Sequence, residues 1–320
     1  MFLLLRKSFV YLWLLLCITA NAHAIPELKV TVLQSGTVNW ELEHLKKQGY
    51  DEQNGFKLVI NKVASLSAAR LALTSNSTNM IVSDWLWAGK RIAAGDPLRF
   101  LPFSSQIGSI IVSPNQSLES LASLKGKNIG VAGGPLNKGW VLLQAAARDA
   151  GVDLRKEANI QFGAPPLQSQ ALKRGQIDIL VTFWHYGARL ETEGYQRWIS
   201  LENLMLELGI ESRVPMLGYI FKESLLKSEP ELIAAFAKAI TSTKADLATQ
   251  DSAWAELKGL MKAENEEVYK ALVAGYRNGN PEPLDDQQKE DAVKFFELID
   301  NLGEYPSGYT LDKNLFYGDE

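Results

Sequence analysis

The chain has 320 residues, of which 46% are hydrophobic and 22% charged, and its 33 basic and 37 acidic side chains leave a formal net charge of −4. Mild acidity with no cluster of Lys and Arg argues against a nucleic-acid partner. One cysteine, Cys17, excludes a disulfide framework within the chain.

The N-terminus reads as a secretory signal covering residues 1–24. Arg6 and Lys7 carry positive charge, Ser8 to Thr19 is an apolar run, and Ala22-His23-Ala24 offers small residues to a signal peptidase. The run is shorter than the roughly 20 residues of a membrane span, so cleavage is expected over an uncleaved anchor. Cys17 follows Leu14, Leu15 and Leu16, not a small residue, so a lipid anchor is not expected. Cleavage would remove that cysteine and two cations but no acid, leaving an acidic chain without a thiol. Export without disulfides fits a large bacterial periplasmic protein. No later segment approaches roughly 18 apolar residues in a row, so a membrane-integral body is not expected.

From residue 25 onward, short β-branched runs alternate with amphipathic stretches, the pattern of α/β lobes with largely parallel sheets. Strands are expected over 28–33, 57–63, 79–83, 99–104 and 109–112. Helices are expected from Trp40 to about Gln48, after a cap at Ser65 or Ser67, and from Asp84 to Ala94. A similar series follows Pro114. It has strands over 128–132, 159–162, 177–183 and 197–201, with helices from about Asn137 to Ala150 and up to Arg174. Past Pro215 comes a strand over 216–221, then helix to Leu302, broken near Pro281 and Pro283. Two chain crossings, at about 109–114 and 213–216, divide the chain into a first lobe over 25–111, a second over 112–214 and a largely helical return to the first over 215–320. A ligand cleft is expected between the lobes, at strand ends and helix N-termini.

No catalytic signature is present: there is no Gly-x-Ser-x-Gly, no His-Glu-x-x-His, no phosphate-binding loop and no Gly-x-Gly-x-x-Gly. Beyond the signal only His44 and His185 remain, thin material for a metal site. His44 shares a charged helix face with Glu41, Glu43, Lys46 and Lys47 and is expected to be solvated. Five tryptophans, Trp40, Trp85, Trp87, Trp140 and Trp184, fall at strand-to-helix junctions. Each either lines the cleft or packs in its own lobe, and of Trp85 and Trp87 only one should reach the cleft. In Gly133-Gly134-Pro135-Leu136-Asn137-Lys138-Gly139-Trp140, glycines admit a ligand close to the backbone and Asn137 can cap the helix. Lys138 opposes the helix dipole, which a ligand anion would offset, unless it is simply a solvated lysine. Gly163-Ala-Pro-Pro166 and Thr182-Phe-Trp-His-Tyr186 occupy the equivalent positions after the next strands. Asp84 either accepts from a ligand amine or caps its helix. His185 either meets a ligand or packs.

Several segments together resemble the periplasmic substrate-binding proteins of ABC importers in the alkanesulfonate, taurine, nitrate and thiamine-precursor group. They are Trp40-Glu-Leu-Glu-His44, Ser83-Asp-Trp85, the helix after Gly134 and, most telling, Ser120-Leu-Ala-Ser-Leu-Lys-Gly-Lys-Asn-Ile-Gly-Val131. The resemblance implies a two-lobed type II binding-protein fold, monomeric and free in the periplasm, delivering a small organic ligand to an inner-membrane permease without a cofactor. It implies ligand contacts from Ser35, Gly36, Trp40, Ser65, Ser83 and Asp84 in the first lobe, with Trp85 beside them. From the second lobe it implies Gly134, Asn137, Lys138, Trp140 and Trp184, with His185 beside them. The Gly-Gly-Pro-Leu-Asn-Lys-Gly-Trp turn departs from the small polar turns of sulfonate binders, and the aromatic residues suggest a planar ligand such as a pyrimidine-like heterocycle or aromatic acid. The alternative is an exported enzyme or accessory protein, serving a periplasmic oxidoreductase or a pyrimidine-related pathway, with Tyr186, His185 and Asp84 as acid–base groups. The related pyrimidine synthase needs a cysteine-rich motif, which this chain lacks.

Overall fold

The computed structural model describes residues 25–301 and 310–318; the expected export signal lies outside them. The first part of the chain runs β1 (Glu27–Leu33), α1 (Val38–Lys47), α2 (Tyr50–Gln53), β2 (Lys57–Val63), α3 (Leu66–Thr74), β3 (Met80–Ser83), α4 (Trp85–Ala93) and β4 (Leu98–Ser104). The middle part runs β5 (Ser109–Val112), β6 (Asn128–Ala132), α5 (Lys138–Asp149), α6 (Leu154–Glu157), β7 (Asn159–Gly163), α7 (Pro165–Lys173), β8 (Ile179–Thr182), α8 (Trp184–Thr192), β9 (Gln196–Ile199) and α9 (Leu201–Glu207). Then come β10 (Leu217–Lys222), α10 (Glu223–Ser228), α11 (Pro230–Thr249), α12 (Asp251–Met261), α13 (Glu266–Asn278) and α14 (Asp286–Asn301).

These elements build two five-stranded sheets, ordered β2-β1-β3-β10-β4 and β7-β6-β8-β5-β9, one in each lobe. Both are mixed, where a largely parallel pattern was expected. β1, β2 and β3 run parallel, as do β6, β7 and β8. β10 is antiparallel to both β3 and β4, and β5 to both β8 and β9. The reversals come from the two passages between lobes, each of which delivers a strand into the neighbouring sheet.

The first passage lies over residues 105–108, ahead of the expected crossing. Ser109–Val112 is already an interior strand of the second sheet, and its residues are all buried, as a strand covered on both faces requires. Gly108 makes the entry possible. Its φ is +146°, and a Cβ there would strike the Thr182 carbonyl. The return passage runs beside the outgoing one, with the Met216 N–H donating to the Ser104 carbonyl at 2.8 Å. The carboxylate of buried Asp291 on α14 accepts from the N–H groups of Glu211 and Ser212 at 2.9 and 2.8 Å, fastening that passage. β9 stops at Ile199, short of the expected strand end, because Ser200 accepts from Asn203 N–H and starts α9.

The C-terminal helices pack largely on the first lobe. Trp254 and Tyr276 join Trp40, Val30 and Phe236 in one buried cluster, while Phe295 and Phe316 pack against Trp85 in another. The chain then lies along β4, Tyr317 N–H donating to the Phe100 carbonyl.

Candidate ligand cleft

Four strand-to-helix junctions face one another: those after β1 and β3 in the first lobe, and those after β6 and β8 in the second. Two side-chain contacts join them across the gap. Lys138 Nζ lies 3.4 Å from Asp84 Oδ2, and the Trp40 and Trp184 rings meet edge to face at 6.2 Å.

Asp84 is the centre of the first contact. Its Oδ1 accepts from Trp87 N–H at 2.9 Å and so caps α4. Its Oδ2 accepts from Arg70 Nη2 at 3.1 Å and pairs with Lys138. Arg70 also donates to Ser83 Oγ and lies 5.1 Å over the Trp87 ring, which fixes the guanidinium. Burial pushes the Asp84 carboxyl up, but Lys138, Arg70 and the helix N–H together outweigh it and hold it below its ordinary value. In the last turn of α4, burial lowers the Lys90 pKa, with Asp84 opposing and Arg70 adding to the shift. One carboxylate therefore pairs with two cations, one from each lobe.

Lys138 is not a solvated lysine: its side chain is only 16% exposed. At the N-terminus of α5 it opposes the helix dipole, and Asp84 offsets that cost from the other lobe. Asn137 builds the turn beneath it. Its Oδ1 accepts from Trp140 N–H at 3.1 Å and its Nδ2 donates to the Ala132 carbonyl at 2.9 Å. The carbonyl of half-buried Gly134 accepts from Asn137 N–H.

The junction tryptophans mostly face inward. Trp85 is fully buried against Phe295 and Phe316 and donates to the Pro215 carbonyl at 2.9 Å, so it is a core residue and not a cleft residue. Trp87, half-buried under Arg70, is the one on the cleft side. Trp40 packs on Trp254 and Tyr276, and Trp184 fills the space over Gly275, so this pair is an inter-lobe contact. Trp140 is buried against Phe162, and its Nε1 has no hydrogen-bond partner among the described residues.

The remaining candidates divide. Ser83 holds Arg70. Ser65 is exposed and caps α3, its Oγ accepting from Ala68 N–H. Ser35 is exposed, while the Gly36 carbonyl accepts from the Asn39 side chain within its own turn. His185 is half-buried, stacked on Phe183 and 4.6 Å from the Tyr186 ring. Burial, aided by Arg189, lowers its pKa to about 3, so it is neutral. Burial also raises Tyr186, with Arg189 opposing. No hydrogen bond joins either to Asp84 among the described residues. His44, expected to be solvated, is instead buried and contacts Asp246 Oδ2 at 3.2 Å. Among the described residues no group of three or more His, Cys, Asp or Glu is placed to hold a metal ion.

Sequence reasoning missed Arg70, Lys90, Phe162 and Phe183. Arg70 could have been found from helix spacing, since it lies just over one turn from the Ser65 cap. Phe183 lay within a noted segment, masked by the tryptophan beside it.

The fold has solved counterparts. The alkanesulfonate-binding protein SsuA from Xanthomonas axonopodis pv. citri, bound to MOPS, superposes with a TM-score of 0.70 at 16% identity, covering 91% of this chain and 98% of that one. The periplasmic aliphatic sulphonate binding protein SsuA from Escherichia coli gives 0.75 at 14% identity, over 92% and 93%. The desulfurization enzyme DSZB gives 0.64 at 12% identity, over 92% and 97%. At such identities these likenesses show the two-lobed α/β fold. No curated protein matches the chain in sequence. The NMT1/THI5-like family model matches residues 45–252, well over half of the chain, and the protein belongs to that family.

Proposed function

We propose that this protein is a periplasmic solute-binding protein of an ABC importer, which closes its two lobes on a small organic anion and passes it to a membrane permease. The observation that carries this reading is the meeting of Arg70 and Lys138, one from each lobe, on Asp84 at the N-termini of α4 and α5. Closure brings the second-lobe lysine to the first-lobe cluster, and a ligand oxyanion there would meet cations and helix N–H groups together. The fold supports the reading, because solved neighbours include proteins described as binding alkanesulfonates and aliphatic sulphonates. The export signal read from residues 1–24 is consistent with it. Asp84, Lys138 and Ser83 belong to the ligand shell on this reading, with Gly134 and Asn137 shaping its floor.

Calorimetric titration with a panel of alkane- and arylsulfonates and carboxylates tests it. At least one should bind, and Lys138→Ala should weaken that ligand by about tenfold, the worth of one charge-assisted contact. Failure of every organic anion to bind would defeat the proposal. The solved desulfurization enzyme keeps a second reading open, that of an enzyme on the same fold. Against it, Asp84 is held by two cations and no hydrogen bond joins it to His185 or Tyr186 among the described residues. Chemically altered ligand after incubation would favour the enzyme.

A further inference from the structure

Seven large hydrophobic side chains are exposed among the described residues, and four of them lie around three adjacent strand ends of the second lobe. β7, β6 and β8 lie side by side and parallel. Phe162, 44% exposed, is the last residue but one of β7; Leu136, 42% exposed, lies in the turn after β6; and Phe183, 37% exposed, follows β8. Leu167, at the start of α7, is 69% exposed. Water should drive such side chains inward unless something covers them in use.

The rings are held in place without being covered. Phe162 meets buried Trp140 edge to face at 6.4 Å, and Phe183 stacks on His185 at 6.2 Å and 25°. Between them the chain is bare: Gly133 has a φ of +87° and donates its N–H to the Gly163 carbonyl at 2.8 Å. The Phe183 ring edge comes within 3.6 Å of where a Gly133 Cβ would lie. This same turn runs directly into Lys138. The turn thus joins the apolar shelf to the cationic site, exposed Leu136 standing two residues before Lys138.

We infer that the ligand is an amphipathic organic anion, whose oxyanion lies at Lys138 and Arg70 and whose apolar, ring-bearing body rests on Phe183, Phe162 and Leu136. This rests on the anion-binding reading above. Both Asp84 oxygens are engaged with Trp87 N–H, Arg70 and Lys138. A ligand ammonium would therefore find cations in place of a free carboxylate, so the second pole of the ligand is apolar and not cationic. The planar group expected from the junction tryptophans meets phenylalanine and histidine instead.

The test compares naphthalenesulfonate with methanesulfonate by calorimetry on the wild-type protein and on Phe183→Ala and Phe162→Ala. Naphthalenesulfonate should bind at least tenfold more tightly. Each exposed ring removed should weaken it by roughly five- to tenfold and leave methanesulfonate unchanged. Unchanged melting temperatures keep the variants interpretable, because both rings are at the surface. Equal affinity of the two probes, or an equal loss of both in the variants, overturns this inference while the anion-binding reading stands. Binding of neither probe, nor of any other organic anion, overturns that reading as well.

Discussion

At the scale of single residues, the chemistry departs most from surface appearance at Glu41. It belongs to a run of charged residues on α1, yet it is fully buried. Its carboxylate accepts from Tyr219 Oη at 2.7 Å, from Lys244 Nζ at 2.6 Å and from Tyr276 Oη. Lys244 also donates to the Phe103 carbonyl. Removing one partner of such a buried pair strands the other, so Glu41→Ala should cost about 3–5 kcal/mol in chemical denaturation. Burial, reinforced by Glu41, pushes both phenols well above the ordinary tyrosine range, and alkaline spectrophotometric titration should leave both protonated when surface tyrosines ionise. His185 gives a prediction of the opposite kind. Its folded pKa of about 3 lies below the ordinary 6.5, so the unfolded chain binds the extra proton between those values. Its contribution to stability is complete above pH 6.5 and is lost as the pH falls toward 3. His185→Gln should flatten this acid limb of the stability curve. None of this was legible locally, because the partners of Glu41 are about 180 or more residues away and burial is set by packing.

At the scale of elements, most of the fold could be read from periodicity and caps. Ser65, Asp84 and Asn137 each cap the helix that was expected to follow them. Asn137→Ala should cost about 1 kcal/mol in thermal or chemical denaturation. Sequence could not place α8. By connectivity it belongs to the second lobe, yet it packs along α13 of the first, with Trp184 over Gly275. One turn on, Arg189 donates to the Met261 carbonyl at 3.0 Å and pairs with Glu264. A Cβ at Gly275 would overlap the Trp184 ring, so Gly275→Ala should destabilise the protein by about 1–3 kcal/mol and weaken ligand retention by loosening the lobes. Chevron and dissociation-rate measurements separate those two effects. The pairing of α8 with α13 depends on how the return passage sets the lobes, which no local pattern encodes.

At the scale of the whole molecule, two lobes joined by two adjacent passages leave closure as the main freedom. A ligand that bridges Arg70 and Lys138 stabilises only the closed form, so its binding should raise the melting temperature in proportion to the logarithm of its concentration. Differential scanning calorimetry would show this. An unchanged melting temperature at high ligand concentration would mean that the ligand does not bind the folded protein, and would overturn the bridge. The two-lobe organisation was legible because each half repeats the strand–helix order. The mixed sheets were not, since strand direction depends on where the chain crosses. The aromatic surface was not legible: of the junction tryptophans all but Trp87 are buried, while Phe162 and Phe183 are exposed at the strand ends.

The ring of Trp184 has a further consequence. It comes from one lobe and meets Trp40 and, through it, Trp254 in the other, at centroid separations of 6.2 and 6.0 Å. Indoles this close in a fixed asymmetric array share their electronic excitation, and near-ultraviolet circular dichroism reads how they are arranged. On the proposed function, in which the lobes close on a ligand, this array would report the angle between them. Stopped-flow dichroism could follow capture and release with no attached label, and Trp184→Phe should silence this signal.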